Sequence, residues 1–421
     1  MALAPPLSDV LAGASRVVAS VLAGRSLNAA LDEAAPGPAR PALQDLAYGT
    51  LRDYGAPQAI LAALARKGIP DRAVHALALC ALHALRHERR APHVVVDEAV
   101  TACGRLGHGH ARGFINALLR NYLRRRAPLE ADAAATEPGR LGYPQWWIDR
   151  VRRDRPLGWE AALAAGNSRP PMTLRVNRRR IDPEAYLAKL AAAGVAAARI
   201  GDCAVRLATP RGVDEVPGFR DGEASVQDAG AQLAAPLLAA RDGMRVLDAC
   251  AAPGGKTAHL AERAAIDLTA IDSDAARVPR IAANLARLGL AATVRVADAG
   301  EPDAWWDGRP FDRVLVDAPC SASGVVRRHP DVKWLRRESD LERFARAQAR
   351  LLEALWRVLA PDGKLLYATC SVFAAENETV VERFLARRPD ARRLALPEPG
   401  DGQLLPDAEH DGFFYAAFAK P

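Results

Sequence analysis

Two short segments place a cysteine among small or rigid residues. Cys320 lies in an Asp-Ala-Pro-Cys-Ser run that begins at Asp317, and Cys370 lies in a Thr-Cys-Ser run. One such cysteine is usually a small buried hydrophobe, but two favour a reactive pair. A thiolate that adds to C6 of a cytosine makes C5 nucleophilic enough to accept a methyl group, whereas methylation of an amino group needs no thiol. The pair predicts methyl transfer to carbon, with Asp317 on the N3/N4 edge of the base. The chemistry alone leaves open which thiol attacks.

A glycine-containing loop lies between an apolar run and a predicted helix, over residues 248–257. Its Gly-Lys-Thr end matches a phosphate-binding P-loop, but Cys250 stands where that motif needs its first glycine. The G-x-G-x-x-G spacing of dinucleotide-binding proteins fails as well. Two glycines at this turn still let the backbone approach a ligand closely, so the loop predicts a binding site without a triphosphate.

Three carboxylates follow successive predicted strands of the same region: Asp272, Asp298 and Asp317. One acid at a strand end is usually a cap or a turn former. Three beside a glycine loop indicate instead a pocket for a nucleoside, with one acid accepting hydrogen bonds from ribose hydroxyls and another near the adenine edge. We expect S-adenosylmethionine as the cofactor.

The elements that must position these residues are short apolar strands that alternate with helices from about residue 236. The pattern predicts a parallel, doubly wound α/β sheet with its ligands beyond the carboxyl ends of the strands. Because such ends are neighbours, Cys320, Cys370 and Asp317 should face one pocket. The predicted strands are 244–247, 268–271, 293–296, 313–316 and 364–368, and the predicted helices are 274–288 and 340–359.

The preceding sequence divides into two further parts. Residues 8–126 carry apolar residues at helical spacing and predict an all-α domain, followed by an apparently aperiodic linker over 127–142. Residues 143–235 predict a small α+β module with a strand over 173–177 and a helix over 183–193. The predicted domains are therefore 1–130, 143–235 and 236–421.

Charge is unevenly distributed along the chain. The net charge of +7 comes from 57 basic and 50 acidic side chains. Residues 1–126 alone hold 16 basic and 9 acidic residues, and residues 150–180 hold nine arginines against two acids. A cluster of arginines is usually just solvated surface. Tryptophans lie beside and among the arginines of residues 150–180, so a surface that binds the RNA backbone is an equally good interpretation of this stretch. We expect Arg124, Arg125 and Arg126 to contribute to RNA binding.

The six cysteines form no C-x-x-C pair, which disfavours a zinc site and a disulfide scaffold. The sequence shows neither a secretion signal nor an apolar stretch of eighteen residues. We therefore expect a cytoplasmic monomer without a metal or a membrane partner.

The two cysteine motifs and the loop Cys250–Thr257 resemble the signature motifs of the RNA cytosine-5 methyltransferases. Residues 324–331 and 411–415 resemble the members that act on 16S (small-subunit) ribosomal RNA. The helical start, with its motif over 113–120, is similar to the NusB antitermination fold.

This resemblance implies roles for individual residues. Cys370 would be the nucleophile, and Cys320 would assist proton removal and product release. The helical domain would bind RNA. The same chemistry on transfer RNA, and a non-catalytic NusB-type RNA-binding protein, remain alternatives. The residues expected to bind S-adenosylmethionine are Cys250, Ala251, Ala252, Pro253, Gly254, Gly255, Lys256, Asp272, Asp298 and Asp317.

Overall fold

The computed structural model describes residues 5–34, 39–88, 90–397 and 399–421. The chain forms two compact units. The first contains Met1–Pro156 and Val326–Glu338, and the second contains Leu157–Val325 and Ser339–Pro421.

The helices and strands are numbered along the whole chain. The helices are α1 (Leu7–Leu22), α2 (Leu27–Glu33), α3 (Arg40–Asp53), α4 (Gly55–Leu64), α5 (Arg72–Arg86), α6 (Pro92–Arg105), α7 (Arg112–Arg124), α8 (Arg126–Ala134), α9 (Glu137–Leu141), α10 (Gln145–Asp154), α11 (Trp159–Asn167), α12 (Pro183–Ala192), α13 (Ala229–Gln232), α14 (Ala234–Leu238), α15 (Gly255–Arg263), α16 (Val278–Leu288), α17 (Val332–Leu335), α18 (Glu338–Val358) and α19 (Glu378–Arg387). The strands are β1 (Thr173–Val176), β2 (Ala197–Arg199), β3 (Ala204–Leu207), β4 (Ala224–Val226), β5 (Arg245–Ala249), β6 (Asp267–Asp272), β7 (Thr293–Val296), β8 (Phe311–Asp317), β9 (Leu359–Thr369), β10 (Arg392–Leu394), β11 (Gln403–Leu404) and β12 (Phe413–Ala419).

The first unit is helical throughout its described part, which confirms the predicted all-α domain. Its central helix is α5, whose residues from Val74 to Leu85 are nearly all buried. A helix that is apolar on all sides must be covered on all sides, and α1, α3, α4, α6 and α7 pack around it. Asp71 caps its N-terminus by accepting the amides of Ala73 and Val74, both at 2.9 Å.

The prediction of a linker over residues 127–142 is wrong, because α8 and α9 occupy this segment. Leu129 and Ala133, one helical turn apart, are buried in the core of the first unit. Thr136 caps α9 by accepting the amide of Gly139. The alanine-rich composition of α8 favours a helix. Two buried positions in α8 and none in α9 are too few to produce a visible periodicity.

A segment distant in sequence completes the first unit. Residues 326–338 belong to it, although the chain on either side belongs to the second unit. The Asp331 carboxylate accepts the backbone amide of Leu27 at 2.8 Å. The Lys333 ammonium group, which is buried, donates to the carbonyls of Arg52 and Gly142 at 2.9 and 2.7 Å. Burial lowers the pKa of Lys333 well below its usual value.

The second unit contains a small antiparallel sheet with strand order β2-β3-β1-β4. Its core includes Leu174, Val176, Tyr186 and Val205. Strand β1 and helix α12 lie where the sequence predicts a strand and a helix.

The second unit also contains a larger sheet with the order β10-β12-β9-β8-β5-β6-β7, to which β11 is added beside β12. Strands β5 to β9 are the five predicted strands, and they run parallel. The doubly wound architecture is confirmed. Strands β10, β11 and β12 were not predicted, and β12 runs antiparallel to β9. Strand β12 is almost wholly buried, so it lacks the polar alternation by which a half-exposed strand is recognised.

Candidate active site

The structure brings the two predicted cysteines together. Strands β8 and β9 are parallel neighbours, with Asp317 opposite Ala368. Cys320 follows the end of β8 by three residues, and Cys370 directly follows β9. Their Sγ atoms are 3.3 Å apart, within hydrogen-bonding distance for thiols. Both thiols are half-buried and free of disulfide bonds.

The two thiols are electrostatically unequal. The hydrogen bond with Cys370 and burial together raise the pKa of Cys320 well above that of an ordinary thiol. The charges of Cys370 and Glu376 add to this shift. Cys320 is therefore harder to deprotonate than an ordinary thiol, and its S–H is available as a donor in the contact with the Cys370 sulfur.

The glycine loop joins β5 to α15 in a conformation that only glycine accepts easily. Gly254 has a φ of +96°, and a Cβ added there would lie 3.0 Å from Cα of Ile281 in α16. The neighbouring Gly255 begins α15, and a Cβ there would meet only Gln227, at 3.8 Å. The first glycine thus permits close packing on α16, and the second leaves the backbone at the helix N-terminus open.

Two of the predicted carboxylates lie at the ends of β6 and β7. Asp272 is buried, and one of its oxygens accepts the amide of Ala252 in the glycine loop at 2.9 Å. Asp298 accepts the amide of Gly300 at 2.8 Å and pairs with Arg350 at 2.8 Å. The first bond ties Asp272 to the glycine loop, and the other two hold Asp298 in place after β7.

The raised pKa of Cys250 shows that several carboxylates lie close together at this edge of the sheet. Burial raises the pKa of Cys250, and so do the charges of four surrounding carboxylates, Asp317, Asp272, Asp248 and Asp298. The predicted acids therefore converge on one place. Asp248, which the sequence analysis did not select, is fully buried. Burial raises the pKa of Asp248 to about 7 against the opposing hydrogen bond from Thr257, which is 2.6 Å long.

Lys256 connects the glycine loop with the thiols. Its ammonium group lies 2.6 Å from the Asp317 carboxylate. Burial lowers the pKa of Lys256, but the charge of Asp317, the hydrogen bond between them and the charge of Cys370 outweigh it, so the net shift is upward. The cation stays charged and acts electrostatically on Cys370.

Glu376 is a site residue that the sequence analysis missed. It lies six residues after Cys370, has no exposed surface, and accepts hydrogen bonds from Ser321 and Ser371, the residues that follow the two cysteines. The sequence signal that could have indicated this residue is an acid that directly follows the apolar run 372–375.

The basic residues expected on an RNA surface prove to be divided. Arg124 and Arg125 are exposed, but Arg126 forms an ion pair of 2.6 Å with Glu88. Arg175 of the second basic stretch and Trp147, a tryptophan beside it that was expected on the same RNA surface, are each only 1% exposed. Buried side chains cannot contact a phosphate backbone, so the expectation fails for those two residues.

Groups with metal-binding chemistry do not gather at the thiols in the described part of the chain. Such a group, Asp53, His83 and His87, lies in the helical unit. There the guanidinium of Arg86 already contacts the Asp53 carboxylate at 2.5 Å. None of the helices in the described ranges is long and apolar enough to span a membrane.

Three family models match consecutive parts of the chain. The 16S rRNA methyltransferase RsmB/F model matches residues 235–419. The ferredoxin-like domain of RsmF/B-like methyltransferases matches residues 143–214, and the NusB family matches residues 9–124.

Relatives match the chain over nearly its full length. A protein of Vibrio cholerae serotype O1 named ribosomal RNA small subunit methyltransferase B is 44% identical, over 97% of this chain and 96% of its own. A protein of the same name from Pseudomonas putida is 43% identical, over 97% of both chains. Among solved structures, that of PH0851 has a TM-score of 0.82 at 24% identity and covers 100% of both chains. A methyltransferase homolog protein from Pyrococcus horikoshii has a TM-score of 0.60 at 27% identity, covering 70% of this chain and 100% of its own.

Proposed function

Because the chain belongs to the RsmB/F family of 16S rRNA methyltransferases, we propose that it methylates C5 of a cytosine in small-subunit ribosomal RNA. The methyl donor would be S-adenosylmethionine, and the reaction would take place in the cytoplasm, where this RNA is found. The observation that carries the assignment to carbon 5 is the pair of thiols 3.3 Å apart at the ends of β8 and β9. A methyltransferase that acts on nitrogen or oxygen has no use for such a pair.

Cys370 is the nucleophile in this proposal. As its thiolate adds to C6, an S–C6 bond forms and the ring electrons shift toward C5, which can then take up a methyl group. Two neighbours favour the thiolate: the S–H of Cys320 donates to it, and the charged Lys256 attracts it. A positioned cation and a hydrogen-bond donor are the usual means of activating a cysteine.

Cys320 serves the second half of the reaction. Its pKa is raised first of all by Cys370, and this influence ends once the Cys370 sulfur is bonded to carbon. Cys320 then becomes easier to deprotonate; it loses its proton to solvent, and its thiolate accepts the C5 proton. The electrons of that C–H bond restore the C5–C6 double bond and expel the Cys370 thiolate.

Asp317 recognises the base in this proposal. One of its oxygens is held by Lys256 at 2.6 Å, which leaves the other oxygen to accept a hydrogen bond from the exocyclic amino group of cytosine. A carboxylate cannot accept from the O4 carbonyl of uracil, so this contact distinguishes the two pyrimidines.

The cofactor pocket suits a cation. S-adenosylmethionine supplies an electrophilic methyl group on a positively charged sulfonium. The carboxylates around Cys250 create the negative potential that a sulfonium requires and a phosphate avoids. We propose that the loop Cys250–Lys256 contacts the cofactor through its backbone, that Asp272 binds the ribose and that Asp298 lies near the adenine.

The remaining domains would hold the RNA. We propose an RNA-binding domain over 1–130, a linking and RNA-binding domain over 143–235 and the catalytic domain over 236–421. The exposed Arg124 and Arg125 make the helical domain suited to phosphate contacts.

The experiment that tests the proposal compares cysteine variants of the full chain on small-subunit ribosomal RNA. Cys370→Ala should abolish methylation and any covalent RNA adduct, whereas Cys320→Ala should accumulate an adduct visible as a shifted band on a denaturing gel. The control is Cys203→Ala, which removes a buried thiol of the same unit. It should match the unmodified chain in methylation and in adduct formation. Adduct formation by Cys370→Ala but not by Cys320→Ala would reverse the two roles.

Bisulfite sequencing of RNA from cells with and without the gene identifies the substrate. An unmethylated cytosine should appear in the small-subunit ribosomal RNA of the deletion strain. Intact ribosomal RNA together with a newly unmethylated transfer RNA would refute the ribosomal substrate.

A further inference from the structure

We propose that Glu376 is a positioning residue that sets the spacing and orientation of the two thiols by bonding both cysteine loops at once. It belongs to the 3-10 turn Ala374–Glu376 and has no exposed surface. The proposal rests on the function proposed above, in which both thiols act on the same base.

One carboxylate joins the two loops. Oε1 of Glu376 accepts the backbone amide of Ser321 at 2.7 Å, and Oε2 accepts the hydroxyls of Ser321 and Ser371 at 2.5 and 2.6 Å. Each serine directly follows one of the cysteines. A shift of the carboxylate would therefore be transmitted to both sulfur atoms through a single residue of backbone.

Cys320 is held on its other side as well. The Gln348 side chain, from α18, donates to the carbonyl of Pro319 at 3.0 Å and to Oε1 of Glu376 at 3.3 Å. The residues before and after Cys320 are thus fixed by two side chains that also contact each other.

Ser323 adds a second link between the loops. Its hydroxyl lies 3.0 Å from that of Ser371 and accepts the amide of Val372 at 2.9 Å. The main chain contributes a further bond, from the amide of Gly324 to the carbonyl of Cys370, at 2.8 Å. The loops are connected around Glu376 rather than through the sheet alone.

Burying the Glu376 carboxylate costs free energy that its hydrogen bonds must offset. Burial raises the pKa of Glu376 in spite of the hydrogen bonds from Ser321 and Ser371, which lower it. A buried carboxylate needs this whole set of donors to be tolerated. Three of these four hydrogen bonds come from the two thiol loops and the fourth comes from Gln348, so the position of each loop depends on the other. The charge of Glu376 also opposes ionisation of Cys320, which favours the protonated state that the first step uses.

The spacing of the thiols can be measured without RNA or cofactor. Dibromobimane becomes fluorescent when both of its bromomethyl groups have alkylated thiols, and each alkylation forms one S–C bond and releases bromide and a proton. The full chain should be bridged between Cys320 and Cys370, and Cys320→Ser or Cys370→Ser should prevent it. Glu376→Ala should slow the bridging roughly tenfold, because the loops lose their common partner.

The matched control is Glu382→Gln, a change of an exposed carboxylate on α19, the helix that follows Glu376. It should behave as the unmodified chain. Glu376→Gln keeps an acceptor for the Ser321 amide but replaces the other oxygen with a donor, so it should fall between Glu376→Ala and the control. This conservative variant also keeps the test valid if the alanine variant fails to fold.

A second readout follows the chemistry. In a Cys320→Ala background, Glu376→Ala should slow formation of the covalent RNA adduct on the order of 100-fold, the loss expected for a misplaced reactive group. Affinity for S-adenosylmethionine should stay unchanged, because the carboxylate contacts the thiol loops and not the glycine loop.

The outcomes separate the two proposals. Folded Glu376 variants that are bridged and form the adduct at the rate of the control would overturn the positioning role, and so would an equal loss of cofactor affinity. Slow bridging in the Glu376 variants together with neither adduct nor methylation in the otherwise unmodified chain would support the positioning role and refute the cytosine chemistry.

Discussion

Three glycines around β5 allow the structure of the glycine loop and its proposed cofactor binding to be tested by single alanine substitutions. Gly243 has a φ of +79°, and an added Cβ would meet nothing within 4 Å. Gly254 has a φ of +96°, and its Cβ would press against the backbone of Ile281 at 3.0 Å. Gly255 begins α15 without a positive φ and has room for a Cβ. The three positions therefore differ in backbone strain and in steric contact.

The expected energies follow from these differences. Alanine in the left-handed region costs about 1–2 kcal/mol, so Gly243→Ala should destabilise by that amount and leave cofactor binding intact. Gly254→Ala adds a clash with a helix backbone, for which overpacking costs typically about 1–3 kcal/mol more. Gly255→Ala should be neutral or stabilising by up to about 1 kcal/mol, since alanine is the better helix former.

Binding should follow a different order from stability. A methyl group on Gly255 would fill the open space at the start of α15, where the proposed cofactor approaches the backbone. We expect Gly255→Ala to reduce the affinity at least about tenfold, or 1.4 kcal/mol, without a decrease in stability. Gly254→Ala should reduce both.

Calorimetry measures the two quantities on the same samples. Scanning calorimetry gives the melting transition, which the proposed cofactor S-adenosylmethionine should shift upward, and titration calorimetry gives the affinity. If Gly254→Ala were no less stable than Gly243→Ala, the steric argument would be refuted. If Gly255→Ala bound the cofactor normally, the backbone of this loop would not form the cofactor site.

Three further predictions concern charge. The pKa of Asp248 is raised to about 7 from 3.8, so between these values the folded state retains a proton that the unfolded chain releases. The protonated carboxyl therefore contributes stability that is complete below about pH 4 and is lost as the pH rises through 7. Asp248→Asn should flatten the resulting decline in melting temperature with pH. Arg175→Ala should destabilise the second unit by about 3–5 kcal/mol in chemical denaturation, because the buried Glu262 carboxylate, 2.6 Å away, would be left without its partner; a destabilisation below about 1 kcal/mol would contradict this reasoning. Replacing Arg124 and Arg125 with glutamine should weaken RNA binding and leave cofactor affinity unchanged. The slope of the logarithm of the binding constant against the logarithm of the salt concentration should become shallower by roughly 0.7–0.9 for each phosphate that the variant no longer neutralises. Filter binding across a salt series measures this slope.

The sequence predicted well those elements whose pattern is local. The five parallel strands have apolar runs that end at chemically distinctive residues, and the core helix α5 has a long apolar run from Ala76 to Leu82. Helices α8 and α9 were missed, because α8 buries only Leu129 and Ala133 and α9 has no buried residue. The basic stretch of residues 150–180 was misread in part, because Arg175 is indistinguishable in sequence from an exposed arginine until its partner Glu262, 87 residues away, is known.

The chemical groups available to this protein could be recognised from the amino-acid order: two cysteines, a glycine loop and acids at successive predicted strand ends. How those groups act on one another depends on the folded chain. The 3.3 Å between the thiols, the cation of Lys256 beside Cys370 and the carboxylate of Glu376 between the two loops join residues that lie far apart along the chain. Hydrogen bonds and electrostatic effects depend on the distance between groups and on their burial. The local pattern from which secondary structure is predicted contains no information about that distance or that burial.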